Sequence, residues 1–152
     1  MAAIKDIRDV FSIFHDGGIS AWTGDKNRLT LTIECQYLAE RIDKSFNKFY
    51  IELNQIDVLF LSTWPNPIDL PVQILTEPSD IFKADLQILS ADIEDDKAVI
   101  TCFQHDTDFD YSGGNLTISS LTISIFDQHK NELKVEQLEK LCEEYWDEWS
   151  KQ

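Results

Sequence analysis

The sequence predicts an α+β fold, in which a curved antiparallel sheet of about six strands, in one or two layers, is covered by an N-terminal and a C-terminal helix. Three observations support this prediction. Apolar residues alternate with polar ones along several short segments, they recur every three or four residues near both ends of the chain, and glycine and proline separate the segments. A length of 152 residues fits a single domain, residues 1–152.

The N-terminal part contains one predicted helix and two predicted strands. Apolar residues at helical spacing predict a short amphipathic helix over residues 3–13. Residues 18–23 and 28–36 predict two strands joined by a polar turn. In the second strand Leu29 and Leu31 share one face and threonines occupy the other, which is typical of a half-buried antiparallel strand.

The middle of the chain is less regular. Residues 37–47 have no clear period, and residues 48–62 predict a strand whose alternation changes phase near Asn54, as a bulge or a turn would cause. All four prolines lie within residues 63–80. Because proline removes a backbone donor, this segment is predicted to cross the surface rather than to form a central strand. Regular alternation returns in a strand predicted at residues 85–93.

A hairpin is predicted in the second half of the chain. Residues 97–111 and 115–127 alternate as two strands, and we expect them to pair across a turn centred on Gly113 and Gly114. Glycine supplies the positive φ values that a two-residue hairpin turn requires. This pairing places apolar residues opposite apolar ones and polar residues opposite polar ones.

The chain is predicted to end in a helix over residues 132–150. Its apolar residues step by three and four positions and form one stripe, which is expected to pack on the sheet. Glu143, Trp146 and Asp147 lie off that stripe. Since aromatic side chains dominate the energetics of interfaces, an exposed Trp146 is a stronger candidate for a partner contact than any of the neighbouring acids.

The charge balance excludes several functional classes. The chain carries 13 Lys and Arg against 28 Asp and Glu, a formal net charge of −15. A nucleic-acid binder or a protein that relies on anionic lipid needs a basic excess, so neither partner is expected. The negative charge is concentrated, because residues 77–110 hold ten acidic and two basic residues and residues 131–152 hold seven and three. Apolar runs are too short to span a bilayer and the start has no apolar signal region, so a cytoplasmic location is expected.

The run from His105 to Tyr111 contains alternating aspartates. On the predicted strand, Asp106, Asp108 and Asp110 would project to one face. Three interpretations are open: a calcium site, a docking surface for a basic protein, and a solvated face that keeps the protein soluble. The EF-hand pattern does not match, because Tyr111 stands where glycine is needed. No metal site and no cofactor are therefore predicted.

Evidence for catalysis in the sequence is weak. His15 beside Asp16 could act as a base, but a histidine at a helix end followed by a turn aspartate explains the pair equally well. His105 is predicted to point into the apolar layer. No nucleophile elbow, phosphate loop or zinc-protease helix is present in the sequence, and no catalytic residue is predicted. Wide spacing predicts reduced and mostly buried thiols for the three cysteines, Cys35, Cys102 and Cys142.

The start of the chain resembles a known group of proteins. The run Phe-His-Asp-Gly-Gly-Ile from Phe14 to Ile19, a short strand with Trp22, and the alternating residues 29–33 resemble the beginning of small bacterial immunity proteins of polymorphic toxin systems. The resemblance covers about the first 36 residues, and the chain departs from the pattern at Gly17. It implies a non-catalytic protein inside the cell that neutralises a toxin by binding it.

The leading hypothesis is thus a non-enzymatic cytoplasmic binding protein, an immunity-type inhibitor that binds a basic toxin through an acidic surface. Two alternatives remain: a structural domain whose acidity only confers solubility, and a metal-dependent or hydrolytic protein. The sequence specifies neither the partner nor the oligomeric state. The residues predicted to bind the partner are Asp106, Asp108, Asp110, Glu143, Trp146 and Asp147.

Overall fold

The computed structural model describes residues 3–151. Within this range the four helices are α1 (Ile4–Ile13), α2 (Gln36–Ala39), α3 (Pro78–Ile81) and α4 (Val135–Ser150). The eight strands are β1 (Gly18–Gly24), β2 (Arg28–Glu34), β3 (Lys48–Pro65), β4 (Ile74–Leu75), β5 (Leu86–Glu94), β6 (Lys97–Phe103), β7 (Tyr111–Phe126) and β8 (Glu132–Leu133). In this part of the chain, none of the helices has the length and apolar content needed to cross a membrane.

Six of the strands close into a ring. Paired strands are antiparallel and follow the order β4-β3-β2-β1-β5-β6-β7-β8, and β3 pairs with β7 as well. The pairing of β3 with β7 closes β1, β2, β3, β7, β6 and β5 into a ring, while β4 and β8 extend the edges of β3 and β7. The α+β class and the antiparallel sheet are confirmed, but the sheet has eight strands rather than about six. The two additional strands have two residues each, too few to show a period in the sequence.

The shortest pairing in the ring joins β1 to β5. It consists of two residue pairs, Gly18 with Gln87 and Ile19 with Leu86. Just before β1, the carbonyl oxygen of Gly17 accepts a hydrogen bond of 2.8 Å from the N–H of Ile88. The ring therefore depends at this point on fewer backbone hydrogen bonds than along β2 and β3, where seven residue pairs are formed.

The core lies between the inner face of the ring and α1. The helix packs against β5, β6, β7 and α4. Its apolar face is fully buried at Ile7, Val10 and Phe11, as the helical spacing predicted. Phe14, at the end of α1, contacts Phe49 of β3, with 5.0 Å between the ring centroids. Burial of this face is the main source of stability for a helix of only ten residues.

Strands β2 and β3 confirm the alternation seen in the sequence. Leu29 and Leu31 are fully buried and Thr30 is half-buried. The change of phase in β3 is a bulge rather than a turn, because the strand continues through it to Pro65. At the bulge Gln55 has a φ of 51°, and the register with β7 shifts just after it.

The prediction of a turn at Gly113 and Gly114 is wrong. Both glycines lie inside β7, where Gly113 pairs with Phe103 of β6 and Gly114 pairs with Thr63 of β3. The chain turns earlier, at residues 104–110. This segment is rich in aspartate, whose side chain can accept hydrogen bonds from nearby backbone N–H groups and so stabilises turns.

Close approach of the strands explains why β7 needs these glycines. A Cβ atom on Gly113 would lie 2.1 Å from the carbonyl oxygen of Cys102, and one on Gly114 would lie 2.4 Å from that of Ser62. Both distances are far shorter than van der Waals contact. The glycine pair therefore allows β7 to pack closely between β6 and β3.

The C-terminal helix begins at Val135, three residues later than predicted at residue 132, because β8 occupies the start of that segment. Its stripe packs on the core through Leu138, which is fully buried, and through half-buried neighbours. The stripe does not stay buried to the end, since Trp149 is 59% exposed. Arg41, just after α2, forms an ion pair with Glu148, which connects α2 to the last turns of α4.

The three cysteines are free thiols. Cys35 and Cys102 are buried and Cys142 is partly buried, which confirms the prediction. Burial raises the pKa of Cys35 to about 11 and that of Cys102 to about 12. Both thiols are therefore protonated and poorly nucleophilic near neutral pH.

Candidate functional site

Residues 104–110, here called the acidic loop, are held in a defined shape by one buried side chain. The side-chain amide of Gln104 donates to the carbonyl oxygens of Asp106, at 2.8 Å, and Tyr111, and its oxygen accepts from the N–H of Asp106 at 2.8 Å. The carboxylate of Asp106 accepts a hydrogen bond of 2.9 Å from the N–H of Asp108. Gln104 is 6% exposed, so it anchors the loop from beneath.

The aspartates of this loop are exposed, but not in the predicted arrangement. Asp106, Asp108 and Asp110 lie on a turn, so the prediction that they share one strand face is wrong. His105 was predicted to point into the apolar layer, which is also wrong, because it is exposed and its Nε2 lies 2.8 Å from Oε1 of Gln87. Both errors follow from the misplaced turn. That the aspartates bind a partner remains a prediction.

The predicted residues on α4 are also exposed, and one of them is packed on a neighbouring ring. Glu143 and Asp147 are exposed, and Trp146 is 36% exposed. The indole of Trp146 stacks on the imidazole of His15, with 5.6 Å between centroids and 18° between planes. His15 is held in turn by a 2.9 Å contact between its Nδ1 and the carbonyl oxygen of Ser12. The stack presents an aromatic surface in a fixed position.

A cleft of about 260 Å³ lies between these two groups of residues. Its lining includes the exposed carboxylates of Asp16, Glu34 and Asp85 together with His105, and it contains no lysine or arginine. We call it the acidic cleft. Its floor is the pairing of β1 with β5, because the four residues of that pairing also line it.

The acidic cleft connects the predicted residues of the loop and of α4. A neighbouring cavity of about 370 Å³ shares Asp85 and His105 with the cleft and extends to Asp106, and its lining also includes Lys83. At the other end Asp16 follows His15, whose ring contacts Trp146. The structure therefore places the acidic loop and the exposed residues of α4 at the two ends of one surface, which we call the acidic surface.

The residues between those ends could not be identified from local sequence patterns. In the sequence Asp16 stands out only through its neighbour His15, and Glu34 and Asp85 belong to no motif. Asp16 follows α1, Glu34 ends β2, and Asp85 immediately precedes β5. No local pattern connects three residues from such distant segments, because the closure of the ring is what brings them together.

His15 and His105 have a backbone and an amide partner, respectively. Neither His15 nor His105 is hydrogen-bonded to a hydroxyl, a thiol or a carboxylate among residues 3–151. In the same range, no group of three or more His, Cys, Asp or Glu side chains has a geometry suited to a metal ion. What the arrangement offers chemically is a concentration of exposed negative charge beside a fixed aromatic ring.

Comparison with known proteins identifies no relative of this chain. The chain matches no protein-family model, no curated protein and no solved structure. The resemblance of the first 36 residues to immunity proteins therefore stays a prediction.

Removal of the Gln104 side chain should loosen the acidic loop. We expect Gln104→Ala to lower the free energy of unfolding by about 1–2 kcal/mol, since it leaves backbone groups near the loop without their partners. Amide hydrogen exchange should accelerate within residues 104–110 and stay unchanged in β2. A loop whose exchange is the same in the variant and the wild type would contradict the anchoring role.

Proposed function

We propose that the protein is a non-enzymatic binding protein that takes a basic protein partner on its acidic surface. The observation that carries the proposal is the acidic cleft, which is lined by three exposed carboxylates from separate elements and by no lysine or arginine. Like charges held close together repel one another, so an arrangement of this kind is stabilised when a cationic group enters it.

The two ends of the surface support the same proposal. The acidic loop adds Asp106, Asp108 and Asp110, and α4 adds Glu143 and Asp147, all of them exposed. Trp146 contributes an aromatic ring whose position is fixed by His15. Interfaces of high affinity typically combine aromatic anchors with charge complementarity.

The more specific form of this proposal is an immunity-type inhibitor in the bacterial cytoplasm. A nuclease toxin needs a basic surface to hold phosphate, and an inhibitor with a net charge of −15 would be attracted to that surface and compete for it. Long-range attraction raises association rates, which suits an inhibitor that must act before its target does.

The proposal is tested with the products of the genes adjacent to this one. A basic partner should bind the wild-type chain, and its affinity should fall as salt is raised from about 50 to about 300 mM, because salt screens exposed charges. Neutralising the cleft with Asp16→Asn, Glu34→Gln and Asp85→Asn should weaken binding at least about tenfold at low salt, equivalent to about 1.4 kcal/mol. Titration calorimetry measures both effects.

A matched control neutralises three acids elsewhere on the same chain. Glu94→Gln, Asp95→Asn and Asp96→Asn remove the same charge from the exposed end of β5 and the turn that follows it, and this variant should bind like the wild type. If the cleft variant and the control bind equally well, the acidic surface is not the binding site and its charge serves solubility. If the protein is an immunity-type inhibitor, its co-expression with the toxic product of an adjacent gene should restore growth of the host cells. Failure to restore growth would reject the immunity hypothesis but not the binding of a basic partner.

A further inference from the structure

One exposed face of α4 carries Trp146 together with two acids. Because a helix has about 3.6 residues per turn, Glu143 is the neighbour of both Trp146 and Asp147, which follow it by three and four positions. All three side chains are exposed. The indole is therefore accessible from solvent, and two carboxylates from the same helix face lie beside it.

Contacts with other rings fix the orientation of the indole. His15 stacks on Trp146 with 5.6 Å between centroids and 18° between planes. Tyr145 and Trp149 meet Trp146 at steep angles, with centroid distances of 5.1 and 5.7 Å. A ring that is already held in place loses little conformational freedom when a partner binds to it.

The exposed part of the indole borders a cavity of about 630 Å³. Besides Trp146, the lining of this cavity comprises Lys140, Glu143, Glu144, Asp147 and Ser150, that is, three acids and one base. In the part of the chain that the structure describes, Glu143 takes part in no ion pair. Glu144 and Asp147 have only long pairs, at 3.8 and 3.5 Å, and exposed pairs of this kind contribute little. The cavity thus keeps a net negative charge beside an aromatic ring.

This combination of groups selects a cation, and one kind of cation in particular. A cation is attracted to the face of an aromatic ring, most strongly to that of tryptophan. A guanidinium group is planar, so it can stack on an indole while the N–H groups at its edge donate to neighbouring carboxylates. The ammonium group of lysine is more strongly hydrated and has no plane to stack. Arginine therefore fits this cavity better than lysine does.

We propose that Glu143, Trp146 and Asp147, here called the indole site, bind an arginine side chain of the basic partner. This inference deepens the proposed function and rests on it. The acidic cleft attracts positive charge of either kind, whereas the indole site distinguishes arginine from lysine. A partner whose contact surface presents arginine should accordingly bind more tightly than one that presents the same number of lysines.

Nuclear magnetic resonance on the full chain tests the proposal with two synthetic peptides of equal length and charge. Glycine alternates with arginine in one peptide and with lysine in the other. The chain has four tryptophans, and the indole N–H signal of Trp146 is assigned by its loss in Trp146→Leu. At about 50 mM salt, where screening is weak, the arginine peptide should shift this signal and bind about three times as tightly as the lysine peptide.

Two variants should abolish the preference for arginine. Trp146→Leu removes the ring, and the double variant Glu143→Gln, Asp147→Asn keeps the ring but removes the carboxylates at exposed positions. In both we expect the arginine peptide to bind only as tightly as the lysine peptide. The matched control is Trp64→Leu, on β3 and outside the acidic surface, which should keep the preference. Circular dichroism establishes that all three variants are folded.

The outcomes separate this inference from the proposed function. Amide signals of Asp85 and Gln87 report on the acidic cleft. If the peptides shift these signals but leave the Trp146 indole unchanged, the indole site is rejected and the acidic surface is kept. Equal affinity of the two peptides for the wild type, or a preference that persists in Trp146→Leu, rejects the indole site as well. If neither peptide shifts any signal of the acidic surface, both proposals are wrong.

Discussion

Replacing Phe14 with alanine should lower the free energy of unfolding by about 3–5 kcal/mol. Phe14 is fully buried at the end of α1, and its ring packs against that of Phe49 in β3. The substitution removes an aromatic contact and leaves a cavity between the helix and a closed ring of paired strands, which can relax only partly to fill it. A domain is typically stable by about 5–15 kcal/mol, so this loss is a large share of the total.

Guanidinium unfolding followed by tryptophan fluorescence measures the effect. The matched control is Phe103→Ala, the same substitution at a side chain that is 40% exposed, where a loss of about 1 kcal/mol or less is expected. Equal losses in the two variants would show that the end of α1 is not packed against β3 as described.

Gly114→Ala should lower the free energy of unfolding by about 3 kcal/mol. The added methyl group would lie 2.4 Å from the carbonyl oxygen of Ser62 and 3.1 Å from Cδ1 of Leu61. The backbone oxygen cannot turn away as the end of a side chain could, so β3 and β7 must separate, and overpacking of a rigid site costs about 1–3 kcal/mol or more. The reduced freedom of the unfolded chain offsets only about 0.4–1 kcal/mol of this.

Gly18→Ala provides the control for this prediction. Gly18 also lies in a strand of the ring, but a Cβ there would meet its nearest neighbour, the carbonyl oxygen of Leu86, at 3.9 Å, an ordinary contact. We expect its stability to stay within about 0.5 kcal/mol of the wild type in the same unfolding experiment. A Gly114→Ala variant as stable as Gly18→Ala would mean that β3 and β7 do not approach so closely.

Periodicity was a sound guide wherever one side of an element is buried and the other is not. The alternation around Leu29 and Leu31 identified β2, and the spacing of Ile7 and Phe11 identified α1, because in each case burial on one face selects the residue type. The short strands β4 and β8 could not be found in this way, since two residues contain no repeat.

The misplaced hairpin has a different cause. Two adjacent glycines are compatible with a tight turn and equally with a strand that another backbone approaches closely. To choose between them requires knowing that β3 lies against Gly114, and β3 belongs to a distant part of the chain. The aspartates that were expected to line a strand then form the turn itself, where the side chain of Asp106 accepts a backbone hydrogen bond.

For the same reason, only part of the candidate site could be predicted from the sequence. Local composition identified the acidic loop, and the position of Trp146 off the helical stripe identified an exposed ring. The three carboxylates of the acidic cleft, Asp16, Glu34 and Asp85, become neighbours only when the ring closes. A site assembled from the ends of separate elements depends on tertiary structure.

The short pairing of β1 with β5 has a consequence for motion. Native proteins open first where few backbone hydrogen bonds hold two segments together, and such local opening requires far less free energy than global unfolding. Strands β1 and β5 meet through two residue pairs, Gly18 with Gln87 and Ile19 with Leu86, and these residues also form the floor of the acidic cleft. Fluctuations that separate β1 from β5 therefore change the width of the acidic cleft. A molecule bound across the cleft would hold the two strands together and slow their separation.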